Sequence, residues 1–361
     1  MNWLRILLIP FAFLYGLGVW IRNLFFDWGI LPSESFDIPV ISIGNLSAGG
    51  AGKTPHAEYL VHLLKDKYAV AVLSRGYKRK TKGYRLAGPD STSTEVGDEP
   101  LQISRKFPDI KVVVDEKRRR GIRRLRKDHP EVNLVILDDA FQHRYVKAGM
   151  NLLLTGYYNP FFRNYLLPVG NLREAKFRAK RADAVIVTKT PTVFSPLDRR
   201  YFLQKLKAYR LKKVFFSKLS YESWAPLHDN MPQKPPKKIK TIFLLSGIAR
   251  TEALEEHLKR KCRDLFLHKY RDHHHFTTKN LKKLRSHFQR TIGQDKVVIT
   301  TEKDAMRLYD PGLQECLKDI PVYYIPIKVV FHDQDKQKFD RMIFSFLKNF
   351  EENRTSGNTG K

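Results

Sequence analysis

Ile38-Pro-Val-Ile-Ser-Ile-Gly-Asn-Leu-Ser-Ala-Gly-Gly-Ala-Gly-Lys-Thr-Pro55 is the stretch that decides the fold. Pro39 to Ile43 is a short apolar run of the kind that forms a buried strand. A glycine-rich loop follows, closes on Gly52-Lys53-Thr54, and leads into a helical pattern from His56 to Leu64. Strand, phosphate loop and helix are the context that gives a Walker-A match a mechanism. Loop N–H groups and the helix N-terminus would cradle phosphates, Lys53 would reach the β/γ-phosphates, and Thr54 would ligate Mg²⁺. Ser47 stands where the pattern has its first glycine, and Gly49 and Gly50 can supply the positive-φ positions instead. The alternative is an ordinary glycine-rich turn, against which the Lys-Thr pair and its flanks argue.

Around this loop, apolar β-rich runs recur at Tyr68–Leu73, Lys111–Val114, Asn133–Leu137, Asn151–Thr155 and Ala184–Thr188, with helical patterns between several of them. That alternation predicts a parallel sheet covered by helices, with ligands at the carboxyl ends of the strands. From about Val214 a second series begins: Val214–Phe216, Thr241–Leu245, Leu265–Lys269, Val297–Thr300 and Val322–Ile325. The expected architecture is therefore α/β: a P-loop NTPase-like parallel-sheet domain (31–212), a proline- and lysine-rich linker or hinge (213–240), a smaller α/β domain (241–350) and a flexible polar tail (351–361). Residues 1–30 form a separate, membrane-associated N-terminal helix.

That helix rests on the run from Ile6 to Ile21, which has no charged residue and is flanked by Arg5 and Arg22. A helix of this length spans roughly 24 Å, short of the ~30 Å hydrocarbon core. Pro10, Gly16 and Gly18 weaken it as a straight spanning helix. Trp3, Trp20 and Trp28 prefer the interface, where the arginines can snorkel, so a helix lying in the membrane surface fits best. A signal peptide, a spanning helix extended through Leu24 to Phe26 and a buried core helix are the alternatives.

At 361 residues and 42% hydrophobic content the chain can bury cores of two ordinary domains. A net charge of +29, from 66 Lys+Arg against 37 Asp+Glu, points to a polyanionic partner: nucleic acid, anionic lipid or a phosphorylated substrate. Basic clusters lie at Arg75 with Lys78-Arg79-Lys80, at Lys117 to Lys127, and at Arg173 to Arg181; the aromatic–basic pattern that stacks RNA bases is lacking. Cys262 and Cys316 have no metal spacing and make no disulfide framework, which suits a reducing compartment.

Three further constellations carry chemistry. Asn133-Leu-Val-Ile-Leu-Asp-Asp139 is an apolar strand ending in two carboxylates, the place of a Walker-B acid. Asp138 and Asp139 are thus metal-side candidates, and Gln142 and His143 should line the same cleft. Val96-Gly97-Asp98-Glu99-Pro100 is an acidic turn before a helix; Asp98 either caps that helix or serves as a carboxylate near the transferred phosphate. In Tyr270-Arg-Asp-His-His-His-Phe-Thr277, three successive histidines cannot face one zinc ion, but Asp272 could orient His273 as an acid/base group. A solvated basic turn is the plain alternative.

Ser42 to Pro55, Leu73-Ser-Arg-Gly-Tyr77, Gly97 to Pro100, Asp138-Asp-Ala-Phe-Gln-His143, Leu166-Leu-Pro-Val-Gly-Asn-Leu-Arg-Glu174, Asp272-His-His274 and Thr300-Thr-Glu-Lys-Asp304 occur in this order. In that ordered combination the chain resembles the tetraacyldisaccharide 4'-kinases, the lipid A 4'-kinases of Gram-negative bacteria, from the N-terminal helix to about residue 345. The family's loop tolerates a non-glycine at Ser47; Ala51 and Ala140-Phe141 are mild departures. The resemblance implies a kinase on the cytoplasmic face of the inner membrane, peripheral or monotopic. It would transfer the γ-phosphate of ATP to the 4'-hydroxyl of an acylated glucosamine disaccharide 1-phosphate, with Mg²⁺ as metal, an anionic membrane surface as partner and no nucleic acid; a monomer is expected. By position, Asp98 matches the catalytic carboxylate and His273, paired with Asp272, its partner. Ser47, Gly49, Gly50, Ala51, Gly52, Lys53, Thr54, Arg173 and Glu174 match the nucleotide side. Thr54, Asp138 and Asp139 match the metal side, and Arg75, Gly76 and Tyr77 the substrate side. The rivals are a P-loop NTPase with a regulatory or transport role and water as acceptor, and a basic membrane or nucleic-acid binding module with a vestigial loop.

Overall fold

The structure is a computed structural model that describes residues 7–211, 213–228 and 231–358. The phosphate-loop strand sits at the centre of it. β1 (Val40–Asn45) is buried at every position and has parallel partners on both sides, β5 (Leu134–Leu137) and β6 (Met150–Gly156). β2 (Val70–Ser74) and β4 (Lys111–Val114) continue the sheet beyond β5, and β3 (Arg85–Ala87) closes that edge antiparallel. β7 (Ala184–Thr188) continues it beyond β6. All five apolar runs read from the first half are strands of this sheet. Burial on both faces is why they read as unbroken Val/Ile/Leu runs rather than alternating ones.

Beyond β7 the chain departs from the expected borders. The Val214 run is β8 (Val214–Tyr221), and it pairs parallel with β7 rather than opening the second unit. β9 (Ala225–Pro226), β10 (Thr241–Ser246), β11 (Asp264–Lys269), β12 (Lys296–Thr301) and β13 (Val322–Ile325) make the second lobe, in the order β11-β10-β12-β13-β9. β14 (Ile327–Phe331) then returns to pair antiparallel with β8. Among the described residues the first sheet is nine-stranded, β14-β8-β7-β6-β1-β5-β2-β4-β3. The stretch expected as a linker over 213–240 is thus a core strand for its first part. An apolar run announces a strand but not the sheet it joins, which is why the border was misplaced.

The C-terminal helix follows the same logic. Phe339, Ile343 and Leu347 are fully buried and join the core of the first lobe with Phe215 and Phe331. That helix runs from Asp335 to Asn358, so the tail expected to be flexible from 351 is helical through 358; residues 359–361 lie outside the described residues.

The N-terminal helix α1 (Ile9–Asp27) is apolar, with a mean hydropathy of 1.4 over its best window, of which only 11% is buried. Pro10 falls in its first turn, where the missing N–H costs nothing. One narrow stripe touches the protein. Its C-terminal end is fastened by the Arg144 and Arg178 guanidinium groups on Asp27, each 2.7 Å away, and by an edge contact of Phe26 with Tyr145 at 4.9 Å. Phe11, Phe13, Leu14, Leu17 and Trp20 are exposed. That exposure excludes the buried core helix. Trp3 and Arg5 lie outside the described residues.

Candidate active site at the junction of the lobes

The glycine-rich loop leads from β1 into α2 (Lys53–Leu64). Gly49 and Gly52 have φ of 112° and 83°, a region that side-chain-bearing residues rarely enter; Gly50, expected to share it, does not, and neither does Ser47. This explains why a serine is tolerated at the first position. Gly52 caps α2 without any side-chain hydrogen bond, which leaves the helix N-terminus to a ligand. The loop is braced from outside by the Leu166–Glu174 segment. Asn171 O accepts from Ala48 N at 2.6 Å, Leu172 bridges Ser47, and Arg173 N donates to Leu46 O at 2.7 Å. Behind the loop, His56 is fully buried between Gly52 O (2.7 Å) and Ser217 Oγ (3.0 Å); burial lowers its pKa to about 4, so it stays neutral.

Lys53 Nζ sits 3.3 Å from Asn45 Oδ1 and 3.6 Å from Asp139. Asp139 is also bound by the Arg173 guanidinium at 3.1 Å, and the two cations lower its pKa against burial. Asp138 behaves oppositely. It is fully buried, neither carboxylate oxygen has a hydrogen-bond partner, and burial together with Glu99 and Asp139 pushes its pKa up to about 7. A buried carboxylate with both oxygens free fits a divalent cation, as does the Thr54 hydroxyl one residue past Lys53. Among the described residues no group of three or more His, Cys, Asp or Glu side chains forms a metal cage. Mg²⁺ needs none, since it takes one or two carboxylates plus substrate phosphates.

The raised pKa of Asp138 has a measurable sign. The unfolded chain loses this proton near pH 4 and the folded one near pH 7, so this group's contribution to stability is largest below pH 4 and declines as pH rises to 7. Metal-free Asp138→Asn is therefore expected to be more stable than the parent at pH 8, by on the order of 2 kcal/mol, and to lose that advantage near pH 4. Thermal melting at the two pH values checks this; an asparagine variant less stable at pH 8 contradicts it.

On the far side of β5, the turn after β2 and the Gly97 turn touch through their backbones: a Cβ on Gly97 would meet Gly76 at 3.2 Å. This contact brings Arg75-Gly76-Tyr77 against Asp98, the first residue of α3 (Asp98–Lys106). Asp98 is 6% exposed and is reached from the second lobe by three cations or imidazoles. Arg307 binds it through Nε at 3.1 Å and through Nη2, His273 Nδ1 lies at 3.0 Å, and Lys303 Nζ at 3.9 Å. These groups overcome desolvation and hold the carboxyl far below the usual range, so it is permanently ionised. Lys303 also pairs with Glu99 at 2.9 Å and with His273 Nε2 at 3.1 Å, and the Tyr77 ring meets the His273 ring edge-on at 5.2 Å.

Not every expected residue lies where the sequence placed it. Asp272 is half-exposed and only 3.9 Å from His273 Nε2, so Asp98, and not its chain neighbour, is the close partner of the imidazole. Glu174 is buried and paired with Arg181 at 2.7 Å, whereas its neighbour Arg173 binds Asp139. Gln142 donates to Asn45 O at 2.9 Å, holding the β5 turn to the end of β1. His143 is kept neutral by burial and by Arg118, its pKa lowered to about 3. The reading of the sequence missed Arg307, Lys303 and Arg118. Lys303 and Arg307 are i and i+4 on the helix Glu302–Leu308, a spacing that puts both on one face. Arg118 is 3% exposed, with Nε and Nη2 unpartnered, yet stands in a run so basic that it reads as a solvated face.

A phosphate loop between a central parallel strand and a helix, with paired aspartates on the next strand and an ionised Asp–His pair across a second lobe, defines a P-loop phosphotransferase. The family model for tetraacyldisaccharide-1-P 4'-kinase matches residues 4–348, and the chain belongs to that family. It is 44% identical over 349 residues to the tetraacyldisaccharide 4'-kinase of Flavobacterium psychrophilum, covering 96% of this chain and 98% of the relative. The corresponding enzyme of Phocaeicola vulgatus is 42% identical over 347 residues, covering 94% of each. A crystal structure of LpxK from Aquifex aeolicus in complex with ATP superposes with a TM-score of 0.73 at 28% identity, over 95% of this chain and 99% of that one.

Proposed function

We propose that this protein transfers the γ-phosphate of ATP to the 4'-hydroxyl of a tetraacylated glucosamine disaccharide 1-phosphate in lipid A biosynthesis. The observation that carries it is the Asp98–His273 hydrogen bond at the lobe junction, one residue from Glu99, which in turn acts on the Walker-side Asp138. Family membership supplies the identity of the acceptor.

Phosphoryl transfer asks mainly for positioning and charge stabilisation. Lys53 and the loop N–H groups bind the β/γ-phosphates. Asp138 and Thr54 would hold Mg²⁺, which would supply charge neutralisation at the phosphate oxygens. Asp139, occupied by Lys53 and Arg173, positions those two cations. Asp98 is too weak a base to take a proton well, because Arg307 and Lys303 stabilise its anion. It instead orients His273. Lys303 donates to Nε2, which assigns Nδ1–H to Asp98. The acceptor hydroxyl takes the place that Lys303 holds at Nε2 and gives its proton there. The expected roles of the pair are thus exchanged: the imidazole is the base and the carboxylate its orienting group. Closure of the second lobe on α3 excludes water, which limits idle hydrolysis. Arg75 and Tyr77 face the acceptor, and the basic surface meets its 1-phosphate.

The exposed face of α1 lies in the cytoplasmic leaflet of the inner membrane, where the acylated acceptor resides, and one copy of the chain suffices. Replacing Leu14 and Leu17 together by glutamate is expected to move most of the protein from the membrane to the soluble fraction while leaving ATP affinity unchanged. Unaltered membrane recovery would remove α1 from that role. For the reaction itself, the test is dependence of ATP consumption on the acylated acceptor. Hydrolysis at the same rate without it favours the NTPase alternative.

A further inference from the structure

Just past the end of β7, Lys189 adopts a φ of 57°, unusual for a residue with a side chain. The turn directs its ammonium at the phosphate loop: Nζ lies 3.6 Å from the position a Cβ would take on Gly50. The neighbouring Thr188 hydroxyl donates to Ala51 O at 2.8 Å, so this turn is tied to the loop and moves with it. The charged groups acting on Lys189 are all cations, Arg250, Lys303 and Lys53, and with burial they lower its pKa. A half-buried ammonium among cations, beside an anion cradle, has its counter-charge supplied by a ligand.

The strand order says which part of the ligand. Asp138 and Asp139 end β5, and Arg75 and Tyr77 follow β2, so the metal and acceptor groups all lie on one side of β1. β6 and β7 lie on the other. In-line transfer sets the leaving part of the nucleotide opposite the acceptor. The polyphosphate therefore runs from Lys53, near the γ-phosphate, back past Gly50 toward β7.

We propose that Lys189 is a second phosphate-binding lysine, which grips the proximal α/β-phosphates of ATP beside Gly50 and sets nucleotide affinity rather than the rate of transfer. The proposal rests on the Gly49–Thr54 loop being the ATP site. The full-length protein with Lys189→Ala is expected to show a Kd and KM for MgATP raised about 10- to 100-fold, the size of a lost charge-assisted hydrogen bond, with kcat at saturating ATP close to the parent value. ADP binding should weaken by the same factor, and Lys189→Arg should restore most of both. In the unmutated protein, acylation of Lys189 by an amine-reactive ester, read by mass spectrometry, should be suppressed by MgATP; this measurement holds even if the alanine variant folds poorly. Unchanged nucleotide affinity, weakening confined to ATP but not ADP, or labelling indifferent to MgATP would overturn the proposal. A parent protein that binds no MgATP would instead overturn the functional reading, and the proposal with it.

Discussion

Asp98→Asn is expected to lower kcat by about three to four orders of magnitude while leaving the affinity for MgATP nearly unchanged. The amide is isosteric, so the loss comes from chemistry more than from shape. An asparagine presents an N–H₂ group or a neutral oxygen to His273 Nδ1, and the tautomer that keeps Nε2 free for the acceptor proton is no longer favoured. The substitution also removes one of the two carboxylate partners of the buried Arg307, which keeps Asp304 at 2.8 Å, so the loss is smaller than the roughly 3–5 kcal/mol of fully unpairing a buried ion. Lower thermal stability should therefore accompany the catalytic loss, and MgATP titration separates the two effects. His273→Ala should match it in size, and the double variant should be no worse than either single one, because the two residues act as one unit. Near-normal turnover by Asp98→Asn would remove the carboxylate from the mechanism.

Lys53→Ala has the second large effect, a fall in kcat/KM of about two to three orders of magnitude. Its ammonium is the cation directed to the phosphate oxygens where negative charge grows, and no neighbour can replace it. Arg173 is already committed to Asp139, and Lys189 sits at the opposite end of the loop. The loss should appear in kcat, because the interaction strengthens as the bond to the leaving phosphate breaks. Asp139 keeps Arg173 as a partner, so the fold should persist. A variant with an unchanged kcat and only a raised KM would reduce Lys53 to a binding group.

The parts of the site that lie close together in the chain were legible in the sequence. Strand, loop and helix from Pro39 to Leu64 carry their own signals of apolar run, glycines and Lys-Thr, and the two aspartates follow a strand that any apolar scan finds. The parts assembled by the fold were not. Asp98 and His273 are 175 residues apart, and nothing local says that the imidazole reaches across the junction rather than to Asp272 beside it. His273 takes a φ of 57°, and its Nδ1 meets Asp98 at 3.0 Å while Asp272 stays 3.9 Å from Nε2. Arg307 comes from a second-lobe helix whose only clue was the four-residue spacing from Lys303. The placement of Val214–Tyr221 in the first sheet depended on a packing choice: its apolar residues satisfy either core, and its pairing with β7, with the return of β14 and the C-terminal helix, shows which one they joined.

Purified protein in mixed micelles, incubated with γ-labelled ATP, Mg²⁺ and an acylated glucosamine disaccharide 1-phosphate, tests the central claim most directly. The label should move to the sugar and be located at the 4'-position, with transfer by Asp98→Asn and Lys53→Ala slowed by the factors given above. Label recovered only as inorganic phosphate, or on any other hydroxyl, would contradict the account.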